Sequence, residues 1–277
     1  MAILRAYEEG INFFDTSNAY GWGRSEELIG EALQGRRKEI LLATKGGVIT
    51  DLKDYERKDF SYKFLECSLL DSLRRLRTDY IDLYQLHSPA VSDITDEVMR
   101  FLEDLVKRGQ ARYVGVSISN EACAMRALTV PICRALQVYF NMIEQSLMDK
   151  VFPTARRGHV GLIGRVPLYS GLLSGRYSLG VEFPCYDHRS KWDRQLIVNV
   201  LEKVRSFESL VLETGRSLPQ IALAFVLAHE EISVVIPGAK TPEQVLDNLS
   251  AMDVQLEVGK LTAIHKIYKE WHAASRN

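Results

Sequence analysis

The sequence predicts an α/β barrel of parallel strands, and three observations carry that expectation. Short, nearly continuous apolar runs alternate with amphipathic helical stretches along the 277 residues. Runs of this kind suit strands buried on both faces of a parallel sheet. No linker-like break, internal repeat or low-complexity tract interrupts the alternation. Three of the runs lead into a polar residue with chemistry to offer: Asp15, Lys45 and His87, with Tyr20 five residues beyond Asp15. In a parallel barrel the carboxyl ends of the strands share one mouth, so groups far apart in sequence converge there.

The chain opens on a helical stretch over residues 1–9 that stops at Gly10. Strand candidates follow at 11–15, 40–44, 81–87, 112–117, 136–141, 160–166 and 233–237. Between them, residues 25–34 start on Ser25, a capping-type residue, and carry Leu28, Ile29, Ala32 and Leu33 on one side. Residues 61–77 place Leu65, Leu69, Leu73 and Leu76 at helical spacing. Residues 96–108 offer Phe101, Leu102, Leu105 and Val106, with Gly109 as a stop. Residues 195–213 repeat the pattern through Leu196, Val200, Val204, Phe207 and Val211. Residues 219–228 and 242–252 begin with proline, which suits a first helical turn. The longest irregular stretch, 178–193, has the length of a lid or binding loop. The tail, 254–277, reads as an amphipathic helix with Leu261, Ile264, Ile267 and Tyr268 on one side. The expected organisation is one barrel domain over 1–277.

Bulk properties exclude some functions. Hydrophobic residues make up 46% and charged residues 26%, an ordinary globular balance, and the formal net charge is −1. Nothing in that charge favours a nucleic acid or an anionic membrane surface. The four cysteines show no paired or zinc-type spacing and read as reduced thiols of a cytoplasmic protein with no metal site. No apolar run reaches the length of a membrane span.

Asp15, Tyr20, Lys45 and His87 together form a proton-transfer set of acid, phenol, amine and imidazole. Each has an ordinary alternative: the aspartate could cap a loop, and the histidine could be a satisfied core group. Their shared position at strand ends favours the catalytic reading.

Six segments resemble the aldo-keto reductases: Asp15-Thr16-Ser17-Asn18-Ala19-Tyr20-Gly21, Ala43-Thr44-Lys45, residues 79–87, Val114-Gly115-Val116-Ser117, residues 167–175 and residues 236–240. The resemblance runs from residue 1 to about Met252. It implies a TIM barrel that reduces aldehydes and ketones with NADPH, or with NADH. Carried over by position, Tyr20 would donate the proton to the carbonyl oxygen. A neutral phenol is a poor acid, and a cationic Lys45 would favour its phenolate form. Asp15 would hold Lys45 by a charge-assisted hydrogen bond, and His87 would orient the carbonyl.

The resemblance also maps the cofactor. Ser117 and Gln137 would bind the nicotinamide carboxamide; many relatives carry Asn directly after that Ser, where this chain has Ile118. Arg165 would stack on the nicotinamide ring. Leu168, Ser170, Gly171 and Leu172 would follow the pyrophosphate through backbone N–H groups. Lys240, Thr241, Gln244 and Asn248, at the start of the last barrel helix, would grip the adenosine 2′-phosphate. Trp22 and the 178–193 loop are candidates for substrate contact.

Relatives have a hairpin and a first strand ahead of the opening helix, so the barrel reads as lacking or replacing its first strand. The seven strand candidates compare with eight in a closed barrel of this type. Exposed strand edges would invite a second copy of the chain, a homo-oligomer. The expected function is NADPH-dependent reduction of a small aldehyde, ketone or sugar-like substrate. The alternative is a nicotinamide-binding regulatory or weakly active barrel, or an incomplete barrel fragment.

Overall fold

The computed structural model of the chain describes residues 1–50 and 57–274. Seven strands lie in one sheet in chain order: β1 Phe13–Asp15, β2 Leu41–Gly46, β3 Ile81–His87, β4 Ala111–Ser117, β5 Cys133–Tyr139, β6 Gly161–Arg165 and β7 Ile232–Ile236. Every neighbouring pair from β1 to β5 is parallel. The helices are α1 Ala2–Glu8, α2 Arg24–Ala32, α3 Tyr62–Leu76, α4 Asp96–Lys107, α5 Glu121–Leu128, α6 Val151–Arg157, α7 Arg194–Arg205, α8 Glu208–Thr214, α9 Leu218–Leu227, α10 Pro242–Leu249 and α11 Val258–Ala274. Strand, crossover helix and next parallel strand repeat along the chain, as an α/β parallel sheet requires.

Four expectations need correction. Helix α2 starts at Arg24 after a left-handed Gly23, not at a Ser25 cap; the Ser25 hydroxyl instead accepts a hydrogen bond from Thr16 Oγ1 at 2.9 Å. The 195–213 stretch is two helices, because the chain breaks at Ser206 and Phe207. Strand β5 begins three residues earlier than expected, where Cys133 comes into register with Val114. The 242–252 helix passes into a 3-10 turn over Ser250–Asp253. Of the tail, residues 275–277 lie outside the described residues.

The chain divides into two compact units. The first comprises Met1–Val138, Leu147–Ile163 and Ala239–Val245. Its helices pack by the spacing the sequence shows: Leu65, Leu69, Leu73 and Leu76 of α3 are all buried, as are Phe101, Leu102 and Leu105 of α4. The Ser61 and Thr95 side chains cap these two helices. Helices α2 and α3 touch closely: a Cβ at Gly30 would stand 2.4 Å from the Arg75 carbonyl oxygen, so only glycine fits.

The second unit comprises Tyr139–Ser146, Gly164–Gly238 and Leu246–Asn277. Its core is α9, where Leu218 and every residue from Ile221 to Val226 are buried. Ser217 and Gln220 form a reciprocal capping box at its start. Phe140 stacks on Phe225 at 5.5 Å, and the His229 ring meets both edge-on at 4.8 Å. His265 of α11 lies 5.4 Å from His229, and its Nδ1 is 2.7 Å from the side-chain carbonyl of Gln145. Among the described residues no single helix is long and apolar enough to cross a membrane.

Burial lowers the pKa of both histidines, and for His265 the His229 ring and Lys269 push the same way. A base with a lowered folded-state pKa binds fewer protons folded than unfolded. Its contribution to stability is therefore full above the ordinary histidine value, ~6.5, and is lost as pH falls below it. The thermal midpoint should fall between neutral and mildly acidic pH, and the fall should shrink in His265→Gln. An equal fall in the variant would show that His265 carries none of it.

Candidate active site

Sheet register assembles the site within the first unit. In parallel pairing Lys45 of β2 lies opposite Gln85 of β3, His87 opposite Ser117 of β4, and Ser117 opposite Gln137 of β5. The four residues of the proton-transfer set come together. The Lys45 ammonium is ion-paired to Asp15 Oδ1, with the two side chains 0% and 5% exposed. The same ammonium donates to the Thr16 carbonyl at 2.9 Å and sits 4.8 Å from the Tyr20 ring centroid. The Tyr20 ring meets His87 edge-on at 5.8 Å. Tyr20 is the exposed member, at 37%.

The second oxygen of Asp15 is also occupied. Oδ2 accepts from Gln85 Nε2 at 3.1 Å and from Gln137 Nε2 at 2.8 Å. Gln137 in turn accepts from the Ser117 hydroxyl at 3.2 Å. Asp15 thus accepts three N–H donors, one from Lys45 and one from each glutamine. Burial by itself pulls the Lys45 pKa down, but the Asp15 carboxylate, and after it Tyr20, more than offset this. The lysine pKa therefore lies above its ordinary value, and Lys45 stays cationic in a buried position.

Local sequence explains the placement. Gly46 follows Lys45 because a Cβ there would come within 2.0 Å of the Tyr84 hydroxyl. After β1 the chain turns through Ser17, Asn18 and Ala19, all buried. Asn18 Nδ2 pins this turn to the Val48 carbonyl at 3.0 Å and to the Ser68 hydroxyl at 3.2 Å. Ser17 Oγ lies 3.0 Å from His87 Nδ1. Trp22 follows with a left-handed backbone, φ 58. Behind the site a buried Glu26 accepts from Thr44 at 2.5 Å and from Arg75 at 2.7 Å.

The remaining candidate residues fall in three groups. Ile118 is buried, so no second amide stands beside Ser117. In the second unit the Arg165 guanidinium lies 5.3 Å from the Tyr139 ring centroid. The turn after it is left-handed at Val166, Tyr169, Ser170 and Gly171, with φ of 53, 47, 52 and 89. A left-handed β-branched valine is strained and must be held by its surroundings; here Asn141 Nδ2 donates to the Val166 carbonyl at 3.1 Å. Arg189, from the 178–193 loop, donates to the Ser170 carbonyl at 2.9 Å and ion-pairs with Asp187 at 2.7 Å. That arginine holds the Asp187 carboxyl well below its ordinary range. At the start of α10, Thr241 caps the Gln244 N–H at 3.4 Å, and Gln244 Oε1 accepts from the Lys240 N–H at 2.7 Å. Gln244 thus closes on its own helix terminus. Lys240, Thr241 and Gln244 belong to the first unit and Asn248 to the second.

Within the first unit, the groups present suit the nicotinamide end of a dinucleotide. The left-handed residues of the 168–172 turn close it on itself: the Tyr169 N–H donates to the Val166 carbonyl at 3.0 Å and the Gly171 N–H to the Leu168 carbonyl at 2.9 Å. A Cβ at Gly171 would stand 3.3 Å from Arg189 Nη1 and would be strained at that φ. Ser117 and Gln137 are a buried hydroxyl and amide suited to a carboxamide.

Gln85, Ser17 and Arg189 are absent from the sequence-based candidates. Gln85 is legible in principle, since it lies two residues before His87 and therefore on the same strand face. Ser17 and Arg189 depend on loop geometry that no periodicity reveals.

A parallel α/β sheet with a proton-transfer set at its strand ends has the arrangement of an α/β-barrel enzyme. The chain belongs to the aldo/keto reductase family, whose signature it matches over residues 1–269. Aldo-keto reductase AKR11C1 from Bacillus halodurans, in its holo form, superposes with a TM-score of 0.81 at 30% identity, covering 96% of this chain and 85% of that one. The glycerol dehydrogenase AKR11B4 from Gluconobacter oxydans superposes with a TM-score of 0.82 at 29% identity, covering 96% and 83%. Aldo-keto reductase yakc [NADP(+)] of Schizosaccharomyces pombe is 31% identical over 266 residues, 92% of this chain and 77% of that protein. A probable voltage-gated potassium channel subunit beta of Oryza sativa subsp. japonica is 30% identical over 274 residues, 91% of this chain and 81% of that protein. The fold is accordingly of the TIM-barrel class, and the protein is an NAD(P)H-linked oxidoreductase.

Removing one partner of a buried ion pair leaves the other charge stranded, at a cost of ~3–5 kcal/mol. Asp15→Leu should lose about that much in urea unfolding, and adding Lys45→Met should restore most of the loss. No recovery in the double variant would show that Asp15 stabilises the fold through its glutamine partners instead.

Proposed function

We propose that the protein reduces the carbonyl of a small aldehyde, ketone or sugar-like substrate with NADPH, Tyr20 giving the proton. The observation that carries this reading is the juxtaposition of Tyr20 with a buried, charged Lys45 and with His87. When bound, the nicotinamide supplies the hydride. Tyr20 donates its phenolic proton to the carbonyl oxygen as charge develops there. Lys45, kept cationic by Asp15, stabilises the phenolate left behind. His87 orients the carbonyl by a hydrogen bond. Proton donation of this kind contributes ~10²–10⁴-fold. Ser117 and Gln137 hold the carboxamide, Arg165 flanks the ring, and the turn at Leu168, Ser170, Gly171 and Leu172 holds the pyrophosphate. By resemblance to the family, Lys240, Thr241, Gln244 and Asn248 would take the 2′-phosphate. Their positive charge is one lysine, and it is faced by Glu243 in the same turn, whose pKa the Thr241 hydroxyl lowers. The preference for NADPH over NADH is therefore narrow. The balanced charge of the chain suits a small-molecule substrate better than a nucleic acid or an anionic membrane surface.

A second reading has its own observation. The channel-subunit name of one relative and the Ile118 substitution favour a nicotinamide-binding regulatory protein with little turnover. The two readings separate in Tyr20→Phe. If the chain is a reductase, carbonyl-dependent NADPH oxidation should fall at least ~10²-fold while the fluorescence titration with NADPH stays unchanged. Undiminished turnover in that variant would remove Tyr20 from the mechanism.

A further inference from the structure

We infer that Ser17 is a positioning residue that fixes which ring nitrogen of His87 carries the proton; the inference rests on the reductase reading for its functional meaning. Ser17 is fully buried, and its hydroxyl has three neighbours. The Ala19 N–H donates to Oγ at 3.2 Å, so Ser17 already serves as an acceptor. Its single proton has two possible acceptors: His87 Nδ1 at 3.0 Å and Asn18 Oδ1 at 3.3 Å. The nearer is the imidazole. Asn18 has its amide committed to Val48 and Ser68, so it cannot rotate to offer Ser17 a donor.

A hydroxyl that donates to Nδ1 requires a lone pair there, and the neutral ring then carries its proton on Nε2. The opposite arrangement runs the proton the other way: Nδ1–H to Ser17, and Ser17 to Asn18. In that case a neutral Nε2 is an acceptor and cannot donate to a substrate carbonyl. The serine hydroxyl therefore selects the form of His87 that can act as the carbonyl-orienting donor. A residue that fixes a histidine tautomer from behind acts on the reaction without touching the substrate.

The test uses the full chain, labelled with 15N at histidine, at mildly alkaline pH, with the His87 signals assigned by their loss in His87→Asn. In the unsubstituted protein, Nδ1 should resonate as an unprotonated acceptor and Nε2 as a protonated donor. In Ser17→Ala, which removes one oxygen from a small buried side chain, the two nitrogens should shift toward the averaged positions of mixed tautomers. The same variant should lower kcat about three- to tenfold, the range of one lost hydrogen bond, with the NADPH dissociation constant unchanged. A protonated Nδ1 in the unsubstituted protein would overturn the inference. So would a Ser17→Ala variant with unchanged ring signals. Absence of turnover in the unsubstituted protein would count against the reductase reading alone, and the ring spectra would still decide the tautomer.

Discussion

The Asp15–Lys45 ion pair is the interaction on which the rest of the site depends. A lysine ammonium with no exposed surface would ordinarily lose its proton, because burial penalises charge. Here the pairing reverses that tendency. The reversal requires Asp15 to be fixed beside the ammonium, and two glutamines from separate strands hold its second oxygen. The register of β2, β3, β4 and β5 brings these groups into one layer. A one-residue slip in any of them would turn a member of the network to the opposite face. Sheet pairing and proton chemistry are therefore one constraint: the strands are held in the register that keeps Lys45 charged beneath Tyr20.

Gln137 ties this layer to the cofactor side. Its amide donates to Asp15 while its carbonyl oxygen accepts from Ser117. A carboxamide bound at Ser117 and Gln137 would meet side chains already connected to the Lys45 pair. Gln85 holds Asp15 independently of that subsite. Its own carbonyl oxygen is buried without a hydrogen-bond partner among the described residues, an unfavourable arrangement in a fold that otherwise satisfies most of its polar groups.

Much of this is legible in the sequence, for identifiable reasons. Asp15, Lys45 and His87 stand at the ends of apolar runs, and strand ends converge in a parallel sheet. The four leucines of α3 announce their helix by spacing alone. Helices α5 and α6 escape a reading by periodicity because they are short: α5 buries only Cys123, Ala124 and Ala127, too little apolar surface to show a period. The break between α7 and α8 is hidden because Phe207 keeps the apolar spacing while the backbone leaves the helix. Side-chain connections are harder to read. Gln85 can be placed on the His87 face, but nothing in the sequence says that its amide reaches Asp15. The clamp of Arg189 on the Ser170 carbonyl joins residues nineteen apart across a loop without periodicity. Left-handed Val166 is equally hidden, since a β-branched residue disfavours that conformation and only its neighbours hold it there.

The central claim is that the network around Lys45 serves carbonyl reduction. The most direct test mixes the purified chain with NADPH, and separately with NADH, and follows nicotinamide absorbance before and after adding a panel of small aldehydes, ketones and sugars. The account predicts a carbonyl-dependent loss of absorbance that saturates with cofactor and is faster with NADPH. Saturable binding of either nucleotide without oxidation by any carbonyl would contradict it and would favour a regulatory role.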